Sequence, residues 1–348
     1  MTTGVINDPA PFEEDRVLST QWLSGALKAN VKNIRVIERI DPNKATAKVR
    51  FQVQLGESKA TLPESLCVKA FFSPARRSLA MLGRTEAGFY ATLAPRLSVR
   101  VPKCVYAATN HETGHGLIIM EDLIARGAHF LSALSAYSVD QTAASLEQLA
   151  ALHAARWSEP SLQEFSFLAL DPKSITSHIG VEQLQVHLND SRAEGLPSTL
   201  KDANRVLAAA LAILRIAKTA PQCLVHGDAH AGNVFVLPDG APGFADWQMA
   251  RSGYWAMDVA YHVASVLEVE DRARHERDLL AHYRARVLAE GGDAPGIEEM
   301  WNAYRTFLPY GYYFWGITGN VDPAIIRKFI FRLGSAIAFH NSFDLLQV

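Results

Sequence analysis

The most informative segment of the sequence is Leu224-Val225-His226-Gly227-Asp228-Ala229-His230-Ala231-Gly232-Asn233-Val234-Phe235, followed by Phe244-Ala245-Asp246-Trp247. Its apolar ends predict two short strands on either side of a polar loop. The dipeptide Asp239-Gly240 is typical of a hairpin turn, so residues 243–245 are predicted to form a returning strand. The sequence therefore predicts a strand, a loop and a hairpin.

Three oxygen-bearing side chains, Asp228, Asn233 and Asp246, fall at the same end of this frame. Transfer of a phosphoryl group to an alcohol needs one carboxylate that orients and deprotonates the hydroxyl. It also needs hard oxygen ligands, an amide and a carboxylate, to hold Mg²⁺ against the nucleotide phosphates. The three side chains supply that set, and the spacing from Asp228 to Asn233 equals that of the protein-kinase catalytic loop.

A pair of opposite charges is predicted in the N-terminal part of the chain. Lys69 lies between Val68 and Ala70 in an apolar strand, where an unpaired ammonium group is costly. Glu86 shares a helical face with Leu82 and with other apolar residues, so it is expected to point into the core. The two charges are most simply satisfied by pairing. The alternative is a lysine on a solvated strand face and a glutamate on a helix flank.

The two parts of the chain differ in their hydrophobic pattern. Apolar runs of strand length occur at residues 33–40, 48–55, 65–72, 102–107 and 116–120, with one helical pattern at residues 78–93. Runs of helix formers follow at residues 141–156, 200–219, 256–269, 271–290 and 297–314. The predicted fold class is α+β. It has a lobe at residues 1–120 with an antiparallel sheet and one helix, and a mainly helical lobe at residues 121–348.

Composition excludes several classes of protein. The 348 residues include 34 Lys and Arg and 36 Asp and Glu, which gives a net charge of −2. The chain therefore lacks the excess of positive charge that is typical of nucleic-acid-binding proteins. The three cysteines show no C-x-x-C spacing, which favours a reducing compartment. No secretory signal and no apolar run of about 18 residues is evident. We therefore expect a cytoplasmic protein without a membrane span or a nucleic-acid partner; the oligomeric state is left open.

The motif His226-Gly227-Asp228-x-His230-x-x-Asn233 with the later Asp246-Trp247-Gln248 resembles the aminoglycoside phosphotransferase and choline kinase superfamily, which has a bilobal protein-kinase-like fold. The tripeptides Asp246-Trp247-Gln248 and Asp258-Val259-Ala260 resemble its ecdysteroid-kinase-like branch. The resemblance implies a small-molecule kinase with ATP and Mg²⁺ as cofactors and an alcohol as acceptor. The implied roles are a catalytic base for Asp228, metal ligands for Asn233 and Asp246, and a phosphate contact for Lys69 set by Glu86.

Two further segments are interpreted through the same resemblance. Residues 118–123 resemble the hinge of the family, which implies that Met120, Glu121 and Leu123 lie beside the adenine. The Glu121 carbonyl and the Leu123 amide would then face the edge of the base; the alternative is an edge strand that runs into a helix. Asp258 is implied to hold the catalytic loop through backbone hydrogen bonds, without contact to substrate.

The turn between the first two strands departs from the family pattern. Related kinases usually have glycine there, and their backbone amides cover the phosphates. Here Asp41-Pro42-Asn43-Lys44-Ala45-Thr46 contains no glycine, and Pro42 removes one amide donor. This predicts weaker contact with the nucleotide at that turn, with Lys44 as a partial replacement.

The acceptor is predicted from the segment Met300 to Val321, which has no Asp or Glu and eight aromatic residues. A site for a polycationic aminoglycoside should be lined with acids. If this segment forms the acceptor wall, it favours an apolar or amphiphilic hydroxyl compound. The alternative is that these rings are helical core.

Two other functions are kept as hypotheses. His226, Asp228, His230 and Asp246 could hold a transition metal, as in a metal-dependent hydrolase, because histidine and carboxylate ligands suit Zn²⁺ or Mn²⁺. That hypothesis leaves Lys69, Glu86 and Asn233 without a role. The glycine-free turn motivates the other hypothesis, a degenerate kinase homologue that binds nucleotide without turnover.

Overall fold

The computed structural model describes residues 7–40, 46–57, 61–73, 79–169 and 180–348. Of the glycine-free turn at residues 41–46, residues 41–45 lie outside the described residues, so its effect on nucleotide contact stays a prediction. The chain divides into two compact units. Unit 1 comprises Met1–Leu97, Val101–His129 and Ala245–Met249, and unit 2 comprises Ser98–Arg100, Phe130–Phe244 and Ala250–Val348. The predicted division at residue 120 stays a proposal.

Unit 1 is built on a five-stranded antiparallel sheet. Its elements are α1 (Glu14–Val17), α2 (Thr20–Ala26), β1 (Val31–Ile40), β2 (Ala47–Leu55), β3 (Leu66–Ala70), α3 (Ala80–Gly88), β4 (Cys104–Thr109) and β5 (Gly116–Glu121). The strand order is β1-β2-β3-β5-β4, with antiparallel pairing throughout. All five predicted strands are confirmed within a few residues at their ends.

The two faces of strand β3 have different neighbours, because successive side chains alternate across a sheet. Leu66, Val68 and Ala70 join a hydrophobic core that also contains residues of α2. Lys69 is displayed on the opposite face and is nevertheless buried. The alternation therefore separates the apolar core of the sheet from the face that carries the lysine.

Helix α3 lies unusually close to strand β5, and two glycines permit this. A Cβ atom on Gly116 would lie 2.1 Å from the Gly83 carbonyl oxygen, which no side chain tolerates. The helical pattern predicted over residues 78–93 becomes the α-helix Ala80–Gly88 followed by a π-helical turn at Phe89–Leu93. This close approach helps to place Glu86, on the last turn of α3, where it reaches the lysine of β3.

Unit 2 is mainly helical, as predicted. Between the two-residue strand β6 (His129–Phe130) and the C-terminus the chain forms α4 (Val139–Ala154), α5 (Val181–Asn189), α6 (Ala203–Thr219), β7 (Cys223–Val225), β8 (Val234–Val236), β9 (Pro242–Phe244), β10 (Arg251–Gly253), α7 (Ala256–Val266), α8 (Val269–Ala289), α9 (Ile297–Phe307), α10 (Pro309–Ile317), α11 (Pro323–His340) and α12 (Ser342–Leu345). The predicted hairpin is β8 and β9, which pair antiparallel. The predicted α+β class is confirmed.

The helix predicted over residues 297–314 is wrong in one respect, since it is two helices. Helix α9 ends at Phe307 and α10 begins at Pro309. Proline has no amide hydrogen and clashes with the preceding turn, so it starts a helix readily and interrupts one that would continue. Helix α11 lies outside the predicted runs; Asp322 caps its start by accepting from the Ala324 amide. Within the described ranges, no helix is both long and apolar enough to cross a bilayer.

Candidate active site

The predicted pair of Lys69 and Glu86 is present in unit 1 and has a third member. The Lys69 ammonium lies 2.7 Å from Glu86 Oε2 and 2.8 Å from Asp246 Oδ1. Lys69 is only 3% exposed and Glu86 is equally buried, whereas the Asp246 side chain is 20% exposed. The solvated-lysine alternative is therefore excluded, and one cation is shared by two carboxylates.

The segment that carries Asp246 is anchored by the residue after it. Trp247 is fully buried, and its ring stacks on Phe89 at 4.0 Å between centroids. Its amide donates to Glu86 Oε1 at 3.1 Å. Asp246 itself has φ +65°, a left-handed conformation that costs free energy in a non-glycine residue and persists only where the surroundings fix it. Trp247 thus holds Asp246 in a strained backbone conformation.

The charge state of this cluster follows from its geometry. Burial alone would lower the pKa of the Lys69 ammonium, but the carboxylates of Asp246 and Glu86 outweigh it and raise that pKa above its ordinary value. Lys69 is therefore a permanent cation at neutral pH. This cation is held beside the partly exposed carboxylate of Asp246.

The segment predicted as a hinge leaves strand β5 through a turn in unit 1. Both carboxylate oxygens of Glu121 have partners within unit 1. One accepts from the Lys103 amide at 2.8 Å, and the other pairs with Arg126. Asp122 closes the turn by accepting from the Ile124 amide. Among the described residues the Leu123 amide has no hydrogen-bond acceptor. Leu123 can therefore offer a backbone donor, while Met120 is half-buried at the end of the strand.

In unit 2 the polar loop after β7 brings Asp228 and Asn233 together. Asn233 Nδ2 donates to the Asp228 carbonyl at 2.8 Å and to Asp228 Oδ2 at 3.1 Å. The Asn233 amide oxygen has no donor among the residues described, and it is the atom of that side chain that could bind a cation. The predicted proximity of these two residues is confirmed.

Asp258 holds the start of this loop from helix α7. It is fully buried, and its carboxylate accepts from the amides of His226 at 2.6 Å and Gly227 at 2.8 Å. It also lies 3.1 Å from His153 Nε2, whose other ring nitrogen contacts the Tyr283 hydroxyl. Burial alone would raise the pKa of Asp258, but these donors lower it below the ordinary value. Asp258 is thus an ionised support of the loop, as the resemblance implied.

A buried histidine, His262 of α7, supports the same loop at its third residue. Its Nδ1 lies 2.9 Å from the Ala229 carbonyl and its Nε2 lies 2.6 Å from the Ser145 hydroxyl. A carbonyl can only accept, so Nδ1 carries the proton and Nε2 accepts from Ser145. Burial lowers the pKa of His262 to about 4. The folded protein therefore keeps this imidazole neutral.

This neutral histidine predicts a loss of stability in mild acid. The unfolded chain binds a proton near pH 6.5 and the folded chain only near pH 4. The contribution is complete above pH 6.5 and declines as the pH falls towards 4, by about 2 kcal/mol at pH 5. Urea unfolding at pH 7.5 and pH 5 should show this loss in the wild type and a smaller one in His262→Gln. An equal loss in both would contradict it; His282→Gln, at an exposed position of α8, is the control.

The two histidines of the motif do not form the metal site of the hydrolase hypothesis. His226 is fully buried, and its Nδ1 accepts from the Asp228 amide at 3.2 Å. His230 Nδ1 accepts from the Gly232 amide at 2.9 Å, and its Nε2 lies 3.5 Å from Asp228 Oδ2. Nowhere in the described ranges do three or more His, Cys, Asp or Glu side chains converge as metal ligands. Both histidines serve the conformation of the loop.

The aromatic segment at residues 300–321 is largely core. Of its eight rings, six are buried: Tyr304, Phe307, Tyr310, Tyr312, Tyr313 and Trp315. Three of the hydroxyls are committed inside unit 2, to Glu276, to the Gly227 carbonyl and to the Leu200 carbonyl. The rings therefore contribute mainly to packing, which the composition of the segment could not distinguish from an acceptor wall.

An antiparallel sheet in unit 1 and a mainly helical unit 2 are the architecture of protein-kinase-like phosphotransferases. A family model described as the phosphotransferase enzyme family (APH) matches residues 47–300, so the chain belongs to that family. This confirms the predicted superfamily and a small-molecule kinase; the ecdysteroid-kinase-like branch stays a prediction. A comparison with curated proteins gave no match.

Several solved structures are similar to this chain at low sequence identity. A choline kinase of Cryptosporidium parvum is 12% identical with a TM-score of 0.51, with 89% of each chain covered. A choline kinase of Streptococcus pneumoniae is 13% identical with a TM-score of 0.48, covering 89% of this chain and 94% of that one. A macrolide 2'-phosphotransferase of Brachybacterium faecium is 16% identical with a TM-score of 0.46, covering 85% and 91%. At such identities the likeness concerns the fold alone.

Proposed function

We propose that the chain is an ATP- and Mg²⁺-dependent kinase that phosphorylates a hydroxyl of a small molecule. The observation that carries the proposal is the buried Lys69, which two carboxylates hold in unit 1. The two carboxylates offset the cost of burying this cation, and in kinase-like folds a lysine paired in this way contacts the α- and β-phosphates of the nucleotide. Glu86 keeps the ammonium group in position.

Asp228 is the proposed catalytic base. Its carboxylate accepts the proton of the acceptor hydroxyl while the hydroxyl oxygen forms a bond to the γ-phosphorus. The bond from that phosphorus to the bridging oxygen breaks, and ADP leaves with the bonding electrons. Asn233 donates its amide hydrogen to one oxygen of this carboxylate, which restricts the rotation of the group.

Asn233 and Asp246 are the residues proposed to hold Mg²⁺. The fit rests on the oxygens they present, since Asn233 directs its Nδ2 to Asp228 and leaves its oxygen available. Asp246 keeps a partly exposed carboxylate beside Lys69. Amide and carboxylate oxygens are the hard ligands this ion prefers. When bound, the ion would neutralise charge on the phosphates.

The backbone of the turn after β5 is proposed to bind the adenine. Its support is the Leu123 amide, which has no acceptor among the described residues, next to Met120 and the Glu121 carbonyl. In this proposal residues 1–120 form the nucleotide-binding lobe and residues 121–348 the catalytic and acceptor-binding lobe. The cytoplasm is the proposed compartment, with support from three cysteines that form no disulfide.

The acceptor is proposed to be an apolar or amphiphilic alcohol. Most aromatic rings of residues 300–321 are core, so the lack of Asp and Glu in that segment does not describe an acceptor wall. The support for this acceptor class is the resemblance to the ecdysteroid-kinase-like branch. A polycationic acceptor would need acidic side chains to offset its charge.

A phosphate-transfer screen tests the function directly. The purified chain is incubated with ATP and Mg²⁺ and with lipophilic, cationic and sugar alcohols, and products are detected by a mass increase of one phosphoryl group. Transfer to lipophilic alcohols is the expected result. Transfer only to aminoglycosides would refute the proposed acceptor class. A Mg²⁺-dependent thermal shift with ATP, without transfer to any acceptor, would favour the degenerate homologue.

A further inference from the structure

The backbone conformation of Asp228 is set by the two peptide planes on either side of its Cα atom. The plane after it is held at its carbonyl oxygen, which accepts from Asn233 Nδ2 at 2.8 Å and from the His230 amide at 2.9 Å. The plane before it joins Gly227 to Asp228, and its amide end donates to His226 Nδ1. Asn233 also donates to the carboxylate itself at 3.1 Å, so a contact at the carbonyl end of the plane before Asp228 would add to this restraint.

The Tyr310 hydroxyl occupies that position. It donates to the Gly227 carbonyl at 2.7 Å from helix α10, 83 residues along the chain. Tyr310 is buried, and burial raises the pKa of its phenol, so the hydroxyl remains a donor. Gly227 has φ +79°, a left-handed conformation that only glycine adopts at low cost.

The position of Tyr310 is itself fixed by packing between two helices. Its ring meets the ring of Tyr261, on α7, edge to face at 6.0 Å between centroids. The next residue, Gly311, approaches Tyr261 so closely that a Cβ atom there would lie 2.2 Å from the ring. Helix α10 is thus seated directly on α7, which also supplies Asp258. Tyr310 has little freedom to move away from the loop.

We infer that Tyr310 is a positioning residue for the phosphoryl transfer, acting through the Gly227 carbonyl on the direction of the Asp228 carboxylate. The inference rests on the proposed role of Asp228 as base. A rotation of the plane between Gly227 and Asp228 would change φ of Asp228 and swing the carboxylate away from an acceptor hydroxyl. Misplacement of a reacting group by about 1 Å costs on the order of 100-fold in rate.

The test compares two single-hydroxyl deletions on the same helix. Tyr310→Phe removes the donor to Gly227, and Tyr312→Phe removes an equally buried hydroxyl that donates to the Leu200 carbonyl at 2.9 Å. With ATP, Mg²⁺ and the best acceptor of the screen, kcat of Tyr310→Phe should fall about 10- to 100-fold with KM for ATP unchanged. Tyr312→Phe should keep its kcat.

Amide hydrogen exchange gives a readout that needs no turnover. Peptides covering residues 223–236 should exchange about 10-fold faster in Tyr310→Phe and unchanged in Tyr312→Phe. An unchanged kcat in Tyr310→Phe, or an equal loss in both variants, would overturn the inference even if exchange increases. Failure of the proposed function is recognised separately, because the wild type would then transfer phosphate to no acceptor of the screen. If only the role of Asp228 as base were wrong, turnover would persist in Asp228→Asn.

Discussion

Asp228→Asn should lower kcat for phosphoryl transfer by about 10²- to 10⁴-fold, which is the range expected for loss of a general base. The substituted amide keeps an oxygen that can still accept from Asn233, so the loop retains its hydrogen bonds. It cannot take up the proton of the acceptor. ATP binding and the melting temperature should therefore remain close to those of the wild type. Steady-state kinetics, ATP titration calorimetry and thermal melting measure the three quantities.

The matched control for this substitution is Asp239→Asn on the turn of the β8–β9 hairpin. Asp239 is exposed and pairs with Arg100 at 3.2 Å, so the same chemical change occurs in unit 2 without any contact with the loop. Its kcat should equal that of the wild type. Turnover by Asp228→Asn within tenfold of the wild type would exclude Asp228 as the base.

Lys69→Met is the second substitution with a large expected effect, and it acts on stability as well as on activity. It leaves Glu86 buried without its cation, and breaking such a pair costs about 3–5 kcal/mol. It also removes the proposed phosphate contact, so kcat/KM for ATP should fall by about 10²- to 10³-fold, as for other preorganised charges in active sites. Urea unfolding at pH 7 and initial rates over a range of ATP concentrations measure the two effects.

A second variant separates the two effects of Lys69→Met. In the double variant Lys69→Met/Glu86→Gln both substituted side chains are neutral. The amide oxygen introduced at residue 86 can still accept from the Trp247 amide. Most of the lost stability should return while the activity does not. Lys32→Met, at an exposed lysine of β1 in the same sheet, should change neither. If Lys69→Met binds ATP as the wild type does, the proposed role of Lys69 is wrong.

The sequence could predict contacts in which a buried charge requires a partner of opposite charge. An ammonium group inside the apolar strand around Lys69 demands a counter-charge, and Glu86 on the inward face of the next helix was the group available. The proximity of Asp228 and Asn233 could likewise be predicted, because both residues lie in one short segment of the sequence. The hairpin that follows needed only the Asp239-Gly240 turn.

The remaining features depend on packing between segments that are distant in sequence. Nothing in the aromatic segment distinguishes Tyr310, which contacts the loop, from Tyr312, which does not. His262 lies in an apolar helix with no local signal of a special role. Its contact with the Ala229 carbonyl joins residues 33 positions apart in the sequence. The break at Pro309 had a local signal in the proline itself, which the run of helix formers obscured.

The order in which the chain is synthesised has a consequence for the cluster around Lys69. Lys69 and Asp246 are 177 residues apart, yet both belong to unit 1. During translation the first 129 residues emerge without the second carboxylate and without the indole that stacks on Phe89. The charge cluster of the N-terminal sheet therefore depends on a contact of high sequence separation. A nascent chain that ends before Asp246 contains one of the two carboxylates that contact Lys69 in the complete protein.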